Sequence, residues 1–383
     1  MAIGLYVVGM VATLVHLRRR RRDHQVASLP PVSLLKPLKG LEEQLEGCLR
    51  SFFEQDYPGA REIVFASGDR DDPALAVARR VAQDYPAVCA RFVVSNETWG
   101  RNPKVSNLQG ALSAATHDLV LQTDANVWAP PDYLRRIVSE LLAEDASLLS
   151  SLVSGTGERS IGAAMENLQL TAYVAPACCA ALVVGGVPCV IGKSMLFRQS
   201  ELRALGGLEL VKDSLAEDFL LGEHYAARGK KVLLSATPIR NVNVDMPIER
   251  SLTRHARWLK MRMVIAPTSL LGDLFANPIS LSTLTFVASG FDGDVGLALA
   301  GVATLKIICD SFLVRLVRGT PVRPVHALLV PVKDLMMLSV WCYALFSRSV
   351  EWRGIRFRIG PGTQLLRDEG ALPVRMLRRL LAG

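Results

Sequence analysis

The chain has 383 residues, half of them hydrophobic, and a formal charge of +8, with a mean hydropathy of +0.26. That hydropathy is high beside 21% charged residues, and the apolar excess sits at the two ends and over 170–192, so a purely soluble domain is excluded in favour of membrane segments. Nucleic acid is not the expected partner of the positive charge, because the arginines cluster beside apolar stretches, where anionic headgroups are the natural counter-ions. The seven cysteines show no CxxC pair and no metal-ligand spacing, and read as reduced core or membrane residues in a cytoplasmic setting.

Ala2–Leu17 is apolar and runs directly into Arg18–Arg22. A secretory signal has its positive charge before the apolar region, so this order predicts an uncleaved anchor over 1–17, with the following residues in the cytoplasm. At roughly 16 residues against the ~20 usually needed, snorkelling arginines must complete the span. Val32–Leu35 reads as a buried strand and Leu41–Glu54 as a helix. A second strand, Glu62–Ser67, ends at Gly68-Asp69, and Pro73 opens a helix reaching Gln83. A strand at Arg91–Ser95, a helix at Val105–Ala115 and a strand at Asp118–Thr123 follow, the last ending at Asp124. Pro131–Glu144 reads as helix and Ser147–Val153 as strand. This alternation predicts a mostly parallel α/β sheet with its ligand site at the carboxyl ends of the strands, where Asp69 and Asp124 fall.

Residues 170–192 pass as a membrane segment by hydropathy. A single crossing there would put Asp124 and Asp218 on opposite sides of the membrane, so the stretch reads as buried core or as a membrane-facing acceptor gate. Pro176 and Gly185-Gly186 are expected to break any long helix through it. A helix at Leu215–Arg228, a strand at Lys231–Ser235 and a basic amphipathic helix at 248–263 complete the 30–265 domain. Two spans are expected beyond it, Leu271–Ser289 and Val295–Val314, with the acidic turn 292–294 outside. Val325–Phe346 is interrupted by Pro331, Lys333 and Asp334. A crossing there would export a tail with eight arginines against three acids, so a re-entrant or interfacial segment is preferred. The 268–347 stretch is thus membrane-associated, and 348–383 a basic cytoplasmic tail.

Four stations carry candidate chemistry. Asp124, with Asn126 two residues on, offers oxygens suited to Mg²⁺ or Mn²⁺, or is a strand-end turn cap. Asp69 stands ready for a base or ribose, whereas Asp71 and Asp72 read as a solvated turn and the N-cap before Pro73. Glu217-Asp218 opens a helix, either as dipole partners or as a general base. Arg254, Arg257 and Trp258 lie on the basic helix, which binds headgroups or offsets the charge of a departing diphosphate while Trp258 packs on an acceptor. Lys104, a lone loop lysine in Asn102-Pro103-Lys104, is a further candidate phosphate contact.

Together these stations resemble the processive-and-lipid branch of the GT-A glycosyltransferases, in which three aspartates precede a (Q/R)xxRW signature, and most of all the ceramide glucosyltransferases. The resemblance runs through Val32-Ser-Leu-Leu-Lys-Pro-Leu-Lys-Gly40, Phe52-Phe-Glu-Gln-Asp-Tyr-Pro58, Asp71-Asp-Pro73, Asn102-Pro-Lys-Val-Ser-Asn-Leu108, Ala216-Glu-Asp218, Arg254-x-x-Arg-Trp258 and Trp352-Arg-Gly with Arg356-Phe-Arg358. It implies a GT-A α/β domain with N- and C-terminal membrane helices, a UDP-sugar donor and a ceramide-like lipid acceptor. It also implies Asp69 as uridine contact, Asp124 as metal and diphosphate ligand, Asp218 as catalytic base and Arg254, Arg257 and Trp258 as diphosphate and acceptor signature. Two departures stand out: Ala125-Asn126 in place of a full DxD, and Lys193, close to the expected acceptor side, where that family usually has an uncharged residue. The implied reaction is inverting transfer of glucose to ceramide by an inner-membrane protein with its catalytic domain in the cytoplasm. N-acetylglucosamine transfer to a hopanoid, which shares most of these motifs, and a non-catalytic lipid- or nucleotide-binding protein are the alternatives.

Overall fold

The computed structural model describes residues 2–18, 28–95, 99–347, 349–352 and 355–367. Arginines 19–22 of the basic run, and tail arginines 348, 353, 375, 378 and 379, lie outside the described residues. Eight strands, β1 (Val32–Pro37), β2 (Arg61–Ser67), β3 (Cys89–Val94), β4 (Leu119–Thr123), β5 (Val127–Trp128), β6 (Leu148–Thr156), β7 (Ser194–Arg198) and β8 (Val232–Val242), form one sheet in the order β3-β2-β1-β4-β7-β6-β8-β5. The first four strands are mutually parallel, while β7 runs antiparallel between β4 and β6. Neither β5 nor β7 is expected from the sequence.

The central strands are apolar on both faces because helices cover both. Leu34, Ile63, Phe65 and Leu121 pack under α2 (Leu45–Phe53), α3 (Pro73–Gln83) and α5 (Tyr133–Ala143). The alternate residues Leu35, Val64, Ala66 and Val120 pack under α4 (Pro103–Ala114), α8 (Gln199–Ala204) and α9 (Glu217–Ala227). A period of two, with both sets buried, is what a parallel sheet between helical layers requires. Asp72 caps α3 as expected, accepting from Ala74 N at 2.9 Å, and also from Ser67 Oγ and Gly40 N.

The apolar stretch after Ile161 forms α6 (Ile161–Gln169), a wide turn at Leu170–Val174 and α7 (Ala175–Val183), without the expected break at Pro176. In the wide turn the Ala175 amide donates to Leu170 O, five residues back, so the missing proline N–H falls where the four-residue ladder is already interrupted. Gly185-Gly186 does end the rod. Gly186 has φ +66, and the Val187 amide donates back to Ala181 O at 3.0 Å, the usual glycine-closed terminus. Leu170, Thr171 and Ala172 are buried, whereas Val184 is 70% exposed. The segment is core at one end and outward-facing at the other.

The N-terminal helix α1 (Ala2–Arg18) lies on α7, burying Ala12, Thr13, His16 and Leu17 and leaving Ile3, Val7, Val11 and Val15 exposed. After the sheet domain come α10 (Ile248–Ile265), α11 (Ser269–Phe275), α12 (Pro278–Ala288), α13 (Gly293–Arg318), α14 (Pro324–Ala327) and α15 (Val330–Phe346). Two helical stretches, Gly293–Arg318 and Pro324–Phe346, are long and apolar enough to cross a membrane. The expected single span at 271–289 is instead the pair α11–α12, bent by 67°, because Asn277 caps a new helix that Pro278 begins. Exposed Leu284, Phe291, Leu297, Leu305, Ile308 and Phe312 form an apolar surface of a kind soluble monomers avoid.

Charge ties these helices together. Lys306 Nζ lies 2.7 Å from Asp310 and 3.3 Å from Asp334, Tyr6 donates to Asp310 at 2.6 Å, and Lys333 contacts both Asp334 and Gln169 of α6. The 319–347 stretch starts and finishes against the α/β domain: Arg318 pairs with Glu158 at 2.9 Å, and Lys260 donates to Ser347 Oγ at 3.0 Å and Ser349 O at 2.8 Å. The basic helix α10 is therefore packed rather than free on a surface, with Ala256 and Leu259 against Val340 and Ala344 of α15 and Arg262 paired with Asp273. Residues 349–352 and 355–367 add a small second sheet. They form β9 (Ser349–Trp352), β10 (Ile355–Ile359) and β11 (Leu365–Arg367), an antiparallel sheet that binds the 213–216 segment through Leu365 N to Asp213 O, 2.8 Å, and Leu215 N to Thr363 O, 3.0 Å.

Candidate active site

At the carboxyl end of β4 the chain leaves the sheet at Asp124, and the antiparallel register Thr123↔Ser194 sets Lys193 directly across from it. Lys193 Nζ lies 2.9 Å from Asp124 Oδ2 and 2.9 Å from Asn126 Oδ1. Lys104, in the first turn of α4, reaches the other oxygen of Asp124 at 3.0 Å and Glu217 at 2.9 Å. Burial pushes the Asp124 carboxyl up, but the two ammonium groups outweigh it and hold it well below the usual carboxylate range. The same two carboxylates raise Lys104 against its own burial, whereas Lys193 is lowered, burial prevailing over Asp124. Lys36, from the β1 motif, lies beneath the site over the Phe52 ring and donates to the Asp124 carbonyl at 3.2 Å. Burial brings its ammonium down to about 7.

Asp218, in the first turn of α9, accepts from Gly192 N at 2.6 Å and Phe219 N at 2.8 Å. Burial, followed by the neighbouring Glu217 carboxylate, raises its pKa to about 6, against the opposing pull of Lys104 and the two amides. A carboxylate with a pKa so close to working pH is suited to general-base chemistry. Gly192 permits the close approach: a Cβ there would lie 2.9 Å from Asp218 Oδ2 and 3.0 Å from Lys104 Nζ. Asn102 holds the frame, capping α4 through its Oδ1 and donating to Ser214 O at 2.7 Å.

The signature helix is oriented by a residue that sequence reading missed. Glu166 of α6 is fully buried and accepts from Arg254 at 2.9 Å, His255 at 2.9 Å and Ser251 at 2.6 Å. Burial works against its ionisation, but His255 and Arg254 hold its carboxyl far below the usual range. His255 then meets Trp258 edge-on, with ring centroids 5.3 Å apart. A lone acid in an apolar stretch is the one signal that pointed there, since such a group is rarely buried unpaired. Asn241, on β8 beside Asn126, was also missed. It is fully buried, and neither carboxamide atom has a partner among the described residues, although it lines the same cavity.

That cavity measures about 1590 Å³, above the roughly 300–1,000 Å³ that holds one small ligand. Its polar end is walled by Lys104, Asp124, Lys193, Asp218, Arg254 and Arg257, and Trp258 also lines it. Its other end is apolar, walled by Leu5, Val8 and Gly9 of α1 and Ala177, Ala181 and Val184 of α7. Of the expected site residues, six converge here and Asp69 does not. Asp69 is exposed beyond β2, where its carboxylate accepts from Asp71 N at 2.9 Å.

The expected metal shell at Asp124 and Asn126 meets a cation already supplied by the chain. Both Asp124 oxygens and Asn126 Oδ1 accept from lysine ammonium groups, and among the described residues no three His, Cys, Asp or Glu converge on one point. A Mg²⁺ ion lies about 2.0–2.1 Å from its oxygens and demands near-octahedral donors, so these residues as arranged do not fit it.

The model of Glycosyl transferase family 21 matches residues 1–365. A ceramide glucosyltransferase 3 of Caenorhabditis elegans is 25% identical over 94% of this chain and 80% of its own length. A ceramide glucosyltransferase of Pyricularia oryzae is 24% identical, covering 87% of this chain and 85% of that one. Among solved structures, a mannosyltransferase from Pyrobaculum calidifontis in complex with GDP-Man and Mn²⁺ is 18% identical over 90% of this chain and 95% of that one, with a TM-score of 0.47. S. aureus TarS 1–349 in complex with UDP-GlcNAc is 14% identical over 88% of this chain and 99% of that one, with a TM-score of 0.41. The family model spans nearly the entire described chain. The chain thus belongs to glycosyl transferase family 21.

Proposed function

We propose that this protein transfers glucose from UDP-glucose, with inversion, to the primary hydroxyl of a ceramide-like lipid at the cytoplasmic face of the membrane. The observation that carries the reading is the single cavity, cationic at the Asp124 end and apolar where α1 and α7 wall it. A nucleotide diphosphate suits the first end and acyl chains the second. The uridine is assigned beside Pro37 and Lys39, at the end of β1, with Asp69 next to it on the neighbouring strand end.

In the proposed step the acceptor hydroxyl lies against Asp218, which takes its proton as the oxygen attacks the anomeric carbon. The bond between that carbon and the β-phosphate oxygen breaks, and UDP leaves with the electron pair. Lys104 and Arg254 line the place where the negative charge grows, and Arg254 keeps further N–H donors beyond the one on Glu166. Trp258, held by His255 and Glu166, packs on the acceptor. The start and finish of 319–347 against the α/β domain support an interfacial or re-entrant course for α15, with α1, the α11–α12 pair and α13 as the three spans.

The test is incubation of the purified protein with UDP-glucose or UDP-N-acetylglucosamine against ceramide or a hopanoid polyol, read by mass spectrometry. Hexosylceramide from UDP-glucose is the expected product. An N-acetylhexosaminyl hopanoid, or UDP release with no lipid product, would overturn the assignment.

A further inference from the structure

Lys193 holds the two oxygens that a divalent ion would need. Its ammonium is 2.9 Å from Asp124 Oδ2 and 2.9 Å from Asn126 Oδ1, so an ion bound to both would displace it. The placement is built into the backbone: Asp124 N donates to Lys193 O at 3.4 Å across the β4–β7 register, and the Lys193 side chain is only 15% exposed. The other oxygens near enough to complete a metal shell are engaged. Glu217 is held by Lys104 and Asn102, and Asp218 by the amides of Gly192 and Phe219.

The two lysines differ in what they have left to offer. An ammonium carries three N–H groups. Those of Lys104 reach Asp124, Glu217 and, at 3.4 Å, Gly192 O. Those of Lys193 reach Asp124 and Asn126, which among the described residues leaves a donor at the cavity wall for an incoming anion.

We propose that Lys193 takes the place of a divalent cation: its ammonium, seated on Asp124 and Asn126, binds the donor's diphosphate, so that the protein binds its nucleotide without metal. The inference rests on the reading of this cavity as the donor site. A fixed monovalent cation supplies less charge than Mg²⁺ or Mn²⁺, but it is already desolvated and oriented, so no ion has to be recruited.

The test is calorimetric binding of UDP to the full-length protein in detergent, in EDTA and again in millimolar Mn²⁺. Wild type is expected to bind UDP in EDTA within about threefold of its affinity in Mn²⁺, and Lys193→Ala to lose on the order of tenfold in EDTA and recover with Mn²⁺. Lys193→Arg, which keeps the charge, should still bind in EDTA. Wild-type binding that appears only with Mn²⁺, or Lys193→Ala binding in EDTA as wild type does, overturns the proposal. Failure to bind UDP in either condition overturns it together with the donor-site reading. UDP binding in EDTA without glucosyl transfer overturns the proposed activity alone.

Discussion

Two clusters in this molecule have nearly the same composition and opposite characters. Lys104 and Lys193 interleave with Asp124 and Glu217 at the head of the cavity. Lys306 and Lys333 interleave with Asp310 and Asp334 among the apolar helices. In the second cluster every side chain is 2% exposed or less, whereas Asp124 keeps 22% of its side chain open and both of its lysines keep some. The sealed cluster has its charges balanced and its partners fixed, so it ties α1, α6, α13 and α15 to one another. The open one has its charges balanced only until an anion arrives. Solvent access, more than residue type, separates a tie from a site.

The comparison breaks most visibly at Asp218, which sits beside the open cluster. Asp218→Asn should lower turnover by about 10²–10⁴-fold while UDP binding by calorimetry stays near wild type; near-normal turnover would remove Asp218 as the base. The sealed cluster should answer in stability instead. Lys306→Met leaves Asp310 buried without its cation and should cost about 3–5 kcal/mol, read as thermal unfolding in detergent. Lys306→Met combined with Asp310→Leu should recover most of that loss, and if it does not, the pair is more than a tie.

Glu166 tests the boundary between the two kinds of cluster, since it is sealed yet holds groups that line the cavity. Glu166→Gln keeps the shape but removes the charge that Arg254 and His255 face, and should weaken UDP binding by on the order of tenfold, about 1.4 kcal/mol. An unchanged Kd would detach the signature helix from the donor. The mildest probe is pH. Asp218 is ionised above about 6 and acts as a base only when ionised, so kcat should be present above that value and fall as pH drops through it. The expected fall between pH 7 and 5 is about tenfold, and a flat profile, or one falling toward high pH in that window, would contradict the assignment.

Much of the scaffold was legible in the chain because it is local. The buried-strand runs at 32–35, 62–67 and 118–123, the Asp72 cap before Pro73 and the placement of Asp124 at a strand end all follow from neighbours within a few residues. Where nearby residues mislead, tertiary packing decides. Pro176 reads as a break, yet the helix continues because a widened turn precedes it. The basic helix at 248–263 reads as interfacial from its charge, and only the fold shows its Lys260 held by Ser347 and Ser349 and residues 363–365 paired with the segment leading into Asp218.

The sequence by itself determined the α/β alternation, the apolar segments and the set of residue types the chemistry needs, since periodicity and end-of-strand position are written in consecutive residues. Only the tertiary structure decided which of those residues meet. It brought Lys193 across from Asp124 through an antiparallel strand that no local pattern announces. It joined Glu166 to a helix some 88 residues away and left Asp69 outside the cavity. Contacts between residues far apart in the chain depend on how the sheet is ordered, and no short window of sequence contains that information.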